Sequence, residues 1–177
     1  VLFLDDDDWL LPEHLAGLAR AIRDSDGAQA AYAGVECRTG SDSTGWEKLH
    51  VFNAPYDPVR LLFENYLPIH AVLFARRLAG PALRFDETLD VYEDWDFWLQ
   101  LSALTALIHV DQVSAVYRIA GHSGFGLRRD DDQMDPGLAA IFTKWRARWT
   151  LPQLLGIVDS AKHRSMYEEL RGQSARD

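Results

Sequence analysis

The chain opens on Val1-Leu2-Phe3-Leu4 and passes without a break into Asp5-Asp6-Asp7-Asp8 and Trp9. A continuous apolar run of this kind suits a strand buried on both faces, which needs a neighbour on either side. Four adjacent carboxylates repel one another, and no row of cations nearby offsets them. The junction therefore belongs where a sheet meets water, at the carboxyl end of a strand, which is where open α/β sheets bind their ligands. No initiator Met precedes Val1, so the expectation is that upstream sequence belongs to this chain. Alternate residues Asp5 and Asp7 point to one side if the chain is locally extended, and two carboxylates with water and phosphate oxygens suit Mg²⁺ or Mn²⁺. A solvated turn, with Asp8 helping to start the next helix, accounts for the run equally well.

The balance of 18 Lys and Arg against 27 Asp and Glu gives a net charge of −9, with no basic run longer than a pair. This argues against a nucleic-acid surface and against an anionic-membrane patch. An acidic protein that handles a polyanion needs a metal between them. The longest apolar stretches fall well short of the roughly 18 residues of a membrane span, and the opening has no signal-peptide pattern. The single cysteine, Cys37, forms no internal disulfide. A cytoplasmic protein, with peripheral contact to the inner face of a membrane allowed, fits these features.

Pro12, Glu13 and the stripe Leu15, Leu18, Ala19 and Ile22 predict a helix that ends near Asp24-Ser25-Asp26-Gly27. Ala28 to Arg38 reads as a second strand, so strand, helix and strand imply a parallel sheet. Thr39 to Asp57 reads as a long loop, Asp57-Pro58 as the start of a helix through Asn65, and Ile69 to Ala75 as a strand. A helix follows from about Glu93 to Leu104, then a pair of strands at Leu107 to Val110 and Val113 to Ile119. Pro136 to Trp149 and Leu151 to Leu170 are helical. The fold class is thus α/β, a mixed, mostly parallel sheet flanked by helices with a C-terminal helical tail.

The second acidic cluster is Tyr92-Glu93-Asp94-Trp95-Asp96-Phe97-Trp98. On a helix Asp94 shares a stripe with Phe97, Trp98 and Leu101, whereas Asp96 shares its face with Gln100. Asp96 is then expected to be a solvated charge. Asp94 heads the inward stripe, where a carboxylate either caps backbone amides or does chemistry.

Phe3-Leu4-Asp5-Asp6-Asp7-Asp8-Trp9-Leu10-Leu11-Pro12-Glu13-His14-Leu15 resembles the Asp-x-Asp segment of family 2 glycosyltransferases, which have the Rossmann-like GT-A fold. Phe85-Asp86-Glu87 followed by Tyr92-Glu93-Asp94-Trp95-Asp96-Phe97-Trp98-Leu99 resembles that family's Glu-Asp motif, and Tyr117-Arg118 its Tyr-Arg segment. The resemblance covers roughly residues 1–125, as the C-terminal portion of a catalytic domain, with 126–177 a helical extension. It implies transfer of a sugar, with inversion, from a nucleotide-diphosphate sugar to a glycan or other hydroxyl acceptor, with polysaccharide assembly the expected setting. Asp5 and Asp7 would bind the donor through a divalent metal, Asp7 as direct ligand. Asp94 would be the general base and Glu93 its support. His122 would touch the metal or sit in a surface loop, Arg118 would pair with phosphate or form a structural ion pair, and His70 would face the acceptor or serve the core.

Two other readings compete. A haloacid-dehalogenase-like phosphatase would use Asp5 as nucleophile, but no later Gly-Asp-x-x-x-Asp motif follows. A degenerate transferase domain would use its cleft and the apolar tail around Phe142, Trp145, Trp149 and Leu151 to bind another protein or its own core. The part of the family pattern that holds the nucleotide base and ribose is not matched here. The 177-residue chain is accordingly expected not to turn over by itself, and sugar-nucleotide hydrolysis or transfer by it would contradict that expectation.

Overall fold

A computed structural model describes residues 1–119 and 136–174, with side chains through residue 162. In chain order the elements are β1 (Trp9–Leu10), α1 (His14–Asp24), β2 (Ala30–Ser41), β3 (Gly45–Phe52), α2 (Pro58–Leu61), β4 (Val72–Phe74), α3 (Glu93–Leu104), β5 (Leu107–Arg118), α4 (Pro136–Trp145) and α5 (Leu151–Ser174). The α/β class follows as expected. The sheet is mixed, in the order β1-β5-β2-β3, and its longest ladder is the parallel pairing of β2 with β5. β4 and β3 share the opposite edge of β2, both antiparallel, and β1 joins β5 antiparallel.

Alternation along β2 sorts its side chains between two cores. Ala31 and Ala33 meet Leu18 of α1 on one face, where small residues let the helix approach closely. Ala30, Tyr32 and Val35 join the aromatic core on the other face, with Trp95, Trp98 and Leu101 of α3 and Ile141 and Trp145 of α4. The two indoles of α3 also reach across to backbone: Trp95 Nε1 donates to the Leu61 carbonyl at 2.7 Å and Trp98 Nε1 to that of Leu67 at 2.9 Å. A buried indole N–H must find a partner, and here the partners fix the segment between α2 and β4.

Several expectations are corrected. Residues 1–4 form no assigned strand: Val1 alone exchanges backbone bonds with Phe74, at 2.7 and 2.9 Å, and Val1 and Leu4 are exposed. Leu2 and Phe3 nevertheless face the two different cores. Helix α1 starts after Pro12, with Glu13 left-handed at its N-cap, and buries His14 and Leu18 while Leu15 stays exposed. The expected loop from Thr39 contains a hairpin, because β2 continues to Ser41 and returns as β3. Gly40 and Gly45 both have positive φ, and a Cβ on Gly40 would lie 2.1 Å from the Gly45 carbonyl oxygen. Strand β3 is mostly exposed, so no apolar run marks it. Asp57 caps α2 through the amides of Val59 and Arg60, but the α-helix ends at Leu61. Ile69–Ala71 is a 3₁₀ turn before the short β4. The expected strand pair near residue 110 is one strand, β5, with an irregular register opposite Gly34.

Asp96 is not solvated. It is fully buried, and takes hydrogen bonds from Trp145 Nε1 (2.8 Å), Lys144 Nζ (2.9 Å) and Gln100 Nε2 (2.7 Å). Helix α4 supplies two of these donors and covers the face that periodicity assigned to water. Among the described residues no helix is long and apolar enough to cross a membrane. Asp96→Ala would leave Trp145 Nε1 unpartnered and break the contact with Lys144, at a cost of about 3 kcal/mol in urea unfolding; a loss below about 1 kcal/mol would show that α4 is held by other means.

Candidate functional site

A cavity of about 640 Å³ opens between the acidic turn, the segment from Asn65 to His70, the N-terminus of α3 and Tyr117 of β5. The acidic run is not extended. The Asp8 amide donates to the Asp5 carbonyl at 3.3 Å, closing a turn over Asp5–Asp8. The expectation that Asp5 and Asp7 stand side by side on an extended chain is therefore corrected: Asp5 lies in the cavity wall, whereas Asp7 is half-buried in the turn and outside the lining.

Asp8, assigned above at most to starting a helix, is instead the anchor of this turn. Its Oδ1 accepts the backbone amide of Arg118 at 2.8 Å, and its Oδ2 lies 3.0 Å from Nδ1 of the fully buried His70, outside hydrogen-bond geometry. Behind it His14 bridges the Ser114 hydroxyl (2.7 Å) and the His70 carbonyl oxygen (3.2 Å), tying α1, β5 and the 3₁₀ turn together. Burial lowers the pKa of His14, which fits a neutral ring in this network. Asp5 shows the opposite effect of the crowd. Burial first, then the charges of Asp8, Asp7 and Asp6, raise its carboxyl above the usual range, with only His70 acting against them.

Asp94 lines the same cavity as Asp5. Burial pushes its carboxyl up to about 6, and the charge of Glu93 beside it acts in the same direction. Opposing this, Asn65 Nδ2 donates to both oxygens, at 3.1 and 3.2 Å, and the Trp95 amide to Oδ1 at 2.7 Å. Of the two roles left open for Asp94, the capping one is present: its carboxylate accepts an amide of α3. Glu93 is exposed and lines the cavity at its side. Tyr117 also lines it, and burial together with the charge of Asp8 pushes its phenol up to about 12, so it stays protonated.

The remaining candidates separate. Arg118 contributes its backbone to Asp8 and does not line the cavity; its buried Nε has no partner among the described residues. His122 lies outside the described residues. His70 is both buried and part of the cavity wall. Cys37 is a free buried thiol whose pKa burial raises to about 11, an inert group. Asn65 was missed by sequence reasoning, since no motif marks it. Its place is set by the two indole bonds to Leu61 and Leu67 that flank it.

The Asp94 shift has a signed consequence for stability. Because the folded-state pKa lies above the ordinary 3.8, stability from this group is fully present below about 3.8 and is lost as pH rises through about 6. Carboxyl NMR of Asp94 should give a midpoint near 6, moving further up in Asn65→Ala, which removes donors to the charged form. A midpoint near 4 in the unsubstituted protein would contradict the buried geometry.

No family model matches the chain. The chain is similar to the protein named "Uncharacterized glycosyltransferase YwdF" of Bacillus subtilis (strain 168), with 28% identity over 119 residues. The matched segment is 66% of this chain and 44% of that relative, so the chain spans less than half the length of the curated protein it matches. The similarity supports a glycosyltransferase.

Proposed function

We propose that the chain carries the acceptor side and the metal-binding turn of an inverting, family 2-like glycosyltransferase of the GT-A fold. The observation that carries this reading is the half-buried Asp94 carboxylate, with its pKa raised to about 6, in one cavity with Asp5 of the acidic turn. A general base works best when its pKa lies near the operating pH. Asp94 would accept the proton of an acceptor hydroxyl as that oxygen bonds to the anomeric carbon of the donor sugar. The bond from that carbon to the diphosphate oxygen breaks on the opposite face, and the nucleoside diphosphate leaves with the electron pair. Asn65 fixes the direction of the carboxylate, and Glu93 keeps its proton affinity up.

Asp5 and Asp7 would hold a divalent cation, which when bound neutralises charge on the departing diphosphate. The donor set fits. Among the described residues there is no group of three or more His, Cys, Asp or Glu placed to enclose an ion. An ion such as Mg²⁺ would take its other ligands from water and phosphate oxygens, its usual habit. Burial first and then the neighbouring aspartates raise Asp5, and the repulsion among those carboxylates is what a cation would relieve. The phosphatase reading gains no support, since the detected similarity is to a protein named as a glycosyltransferase.

In the complete gene product, Asp94→Asn should lower kcat for sugar transfer by roughly 10²- to 10⁴-fold with little change in the donor KM. Asp5→Ala and Asp7→Ala should instead weaken donor binding and its dependence on added Mg²⁺ or Mn²⁺. Transfer retained at full rate by Asp94→Asn and Asp7→Ala would leave the binding-module reading as the better account.

A further inference from the structure

The cavity wall carries four carboxylates, Asp5, Asp90, Glu93 and Asp94, and no Lys or Arg among the described residues that line it. Its one basic side chain there, His70, already faces Asp8 across 3.0 Å. The nearby guanidinium of Arg60 lies over the Tyr66 ring and is bound to Glu64 through two hydrogen bonds. Aromatic side chains line the same wall, among them Tyr66, Phe85, Tyr92 and Tyr117. His70, fully buried in the same wall, leaves Nε2 without a hydrogen-bond partner.

From this combination, and resting on the transfer reading above, we infer that the acceptor is an uncharged sugar, and that the cavity rejects sugars bearing a carboxylate or phosphate near the reacting hydroxyl. Carboxylates accept hydrogen bonds from hydroxyl groups and repel anions. Aromatic side chains pack against the C–H faces of a pyranose. With Asp5 given to the cation, an anionic acceptor would still meet Asp90, Glu93 and Asp94, with no Lys or Arg among the described residues that line the cavity to receive it, which is discrimination by repulsion as much as by fit. It would also oppose ionisation of the very group that must take the proton.

The test is an NMR titration of the complete gene product at pH 7.5, read on the Asn65 side-chain amide and the Asp94 carboxyl. Methyl glycosides of glucose, galactose and N-acetylglucosamine are compared with methyl glucuronide, methyl galacturonide and N-acetylglucosamine 6-phosphate. The expected result is that at least one neutral glycoside binds, about tenfold or more tighter than its anionic counterpart. In Asp90→Asn that ratio should shrink several-fold. A uronate or phosphosugar that binds as tightly as its neutral counterpart overturns the charge selection and leaves the transfer reading standing. Failure of every neutral sugar to perturb these resonances overturns the acceptor assignment itself.

Discussion

Two indole hydrogen bonds from one helix hold the candidate site together. Trp95 and Trp98 leave α3 on its buried side and donate to the carbonyls of Leu61 and Leu67, so the irregular segment between them is fixed to the helix that carries Asp94. Asn65 lies within that segment, and its amide reaches both oxygens of Asp94. A carboxylate thus ends up half out of water with a fixed direction, and burial raises its pKa. The clamp adds to the burial of Leu61, Leu62, Tyr66 and Leu67, which packs the same segment into the core.

The acidic turn is held by a different device. Of its four aspartates, Asp8 is given up to the interior, where it takes the Arg118 amide and faces His70. That leaves Asp5 at the cavity wall and Asp7 half-buried in the turn, with a concentration of negative charge that, among the described residues, only His70 acts against at Asp5. Like charges this close add no stability, and a cation bound at the turn would relieve their repulsion.

Legibility in the sequence followed how far each signal reached along the chain. Asp94 could be singled out because Phe97, Trp98 and Leu101 repeat at helical spacing on its side, and all three are buried. The same periodicity misplaced Asp96, because the face it shares with Gln100 is covered by Lys144 and Trp145 of α4, far along the chain. Helix α3 is buried nearly all round, and in such a helix a polar residue says little about which side meets water. Asn65 and the pairing of Asp8 with His70 carry no local pattern at all; they exist only once α3, β5 and the 3₁₀ turn are assembled. The β2–β3 hairpin was hidden for the opposite reason. An edge strand with mostly exposed side chains lacks an apolar run, and only the Gly40 and Gly45 pair marked its turn.

The central claim is that Asp94 acts as the base that takes the acceptor's proton, and the pH dependence of kcat/KM for sugar transfer tests it most directly. In the complete gene product the rate should rise with pH and level off above a midpoint near 6, set by the buried carboxyl. The residual activity of Asp94→Asn should lack that limb. A limb that persists unchanged in Asp94→Asn, or a flat profile in the unsubstituted enzyme from about pH 5 to about pH 8, would contradict the account.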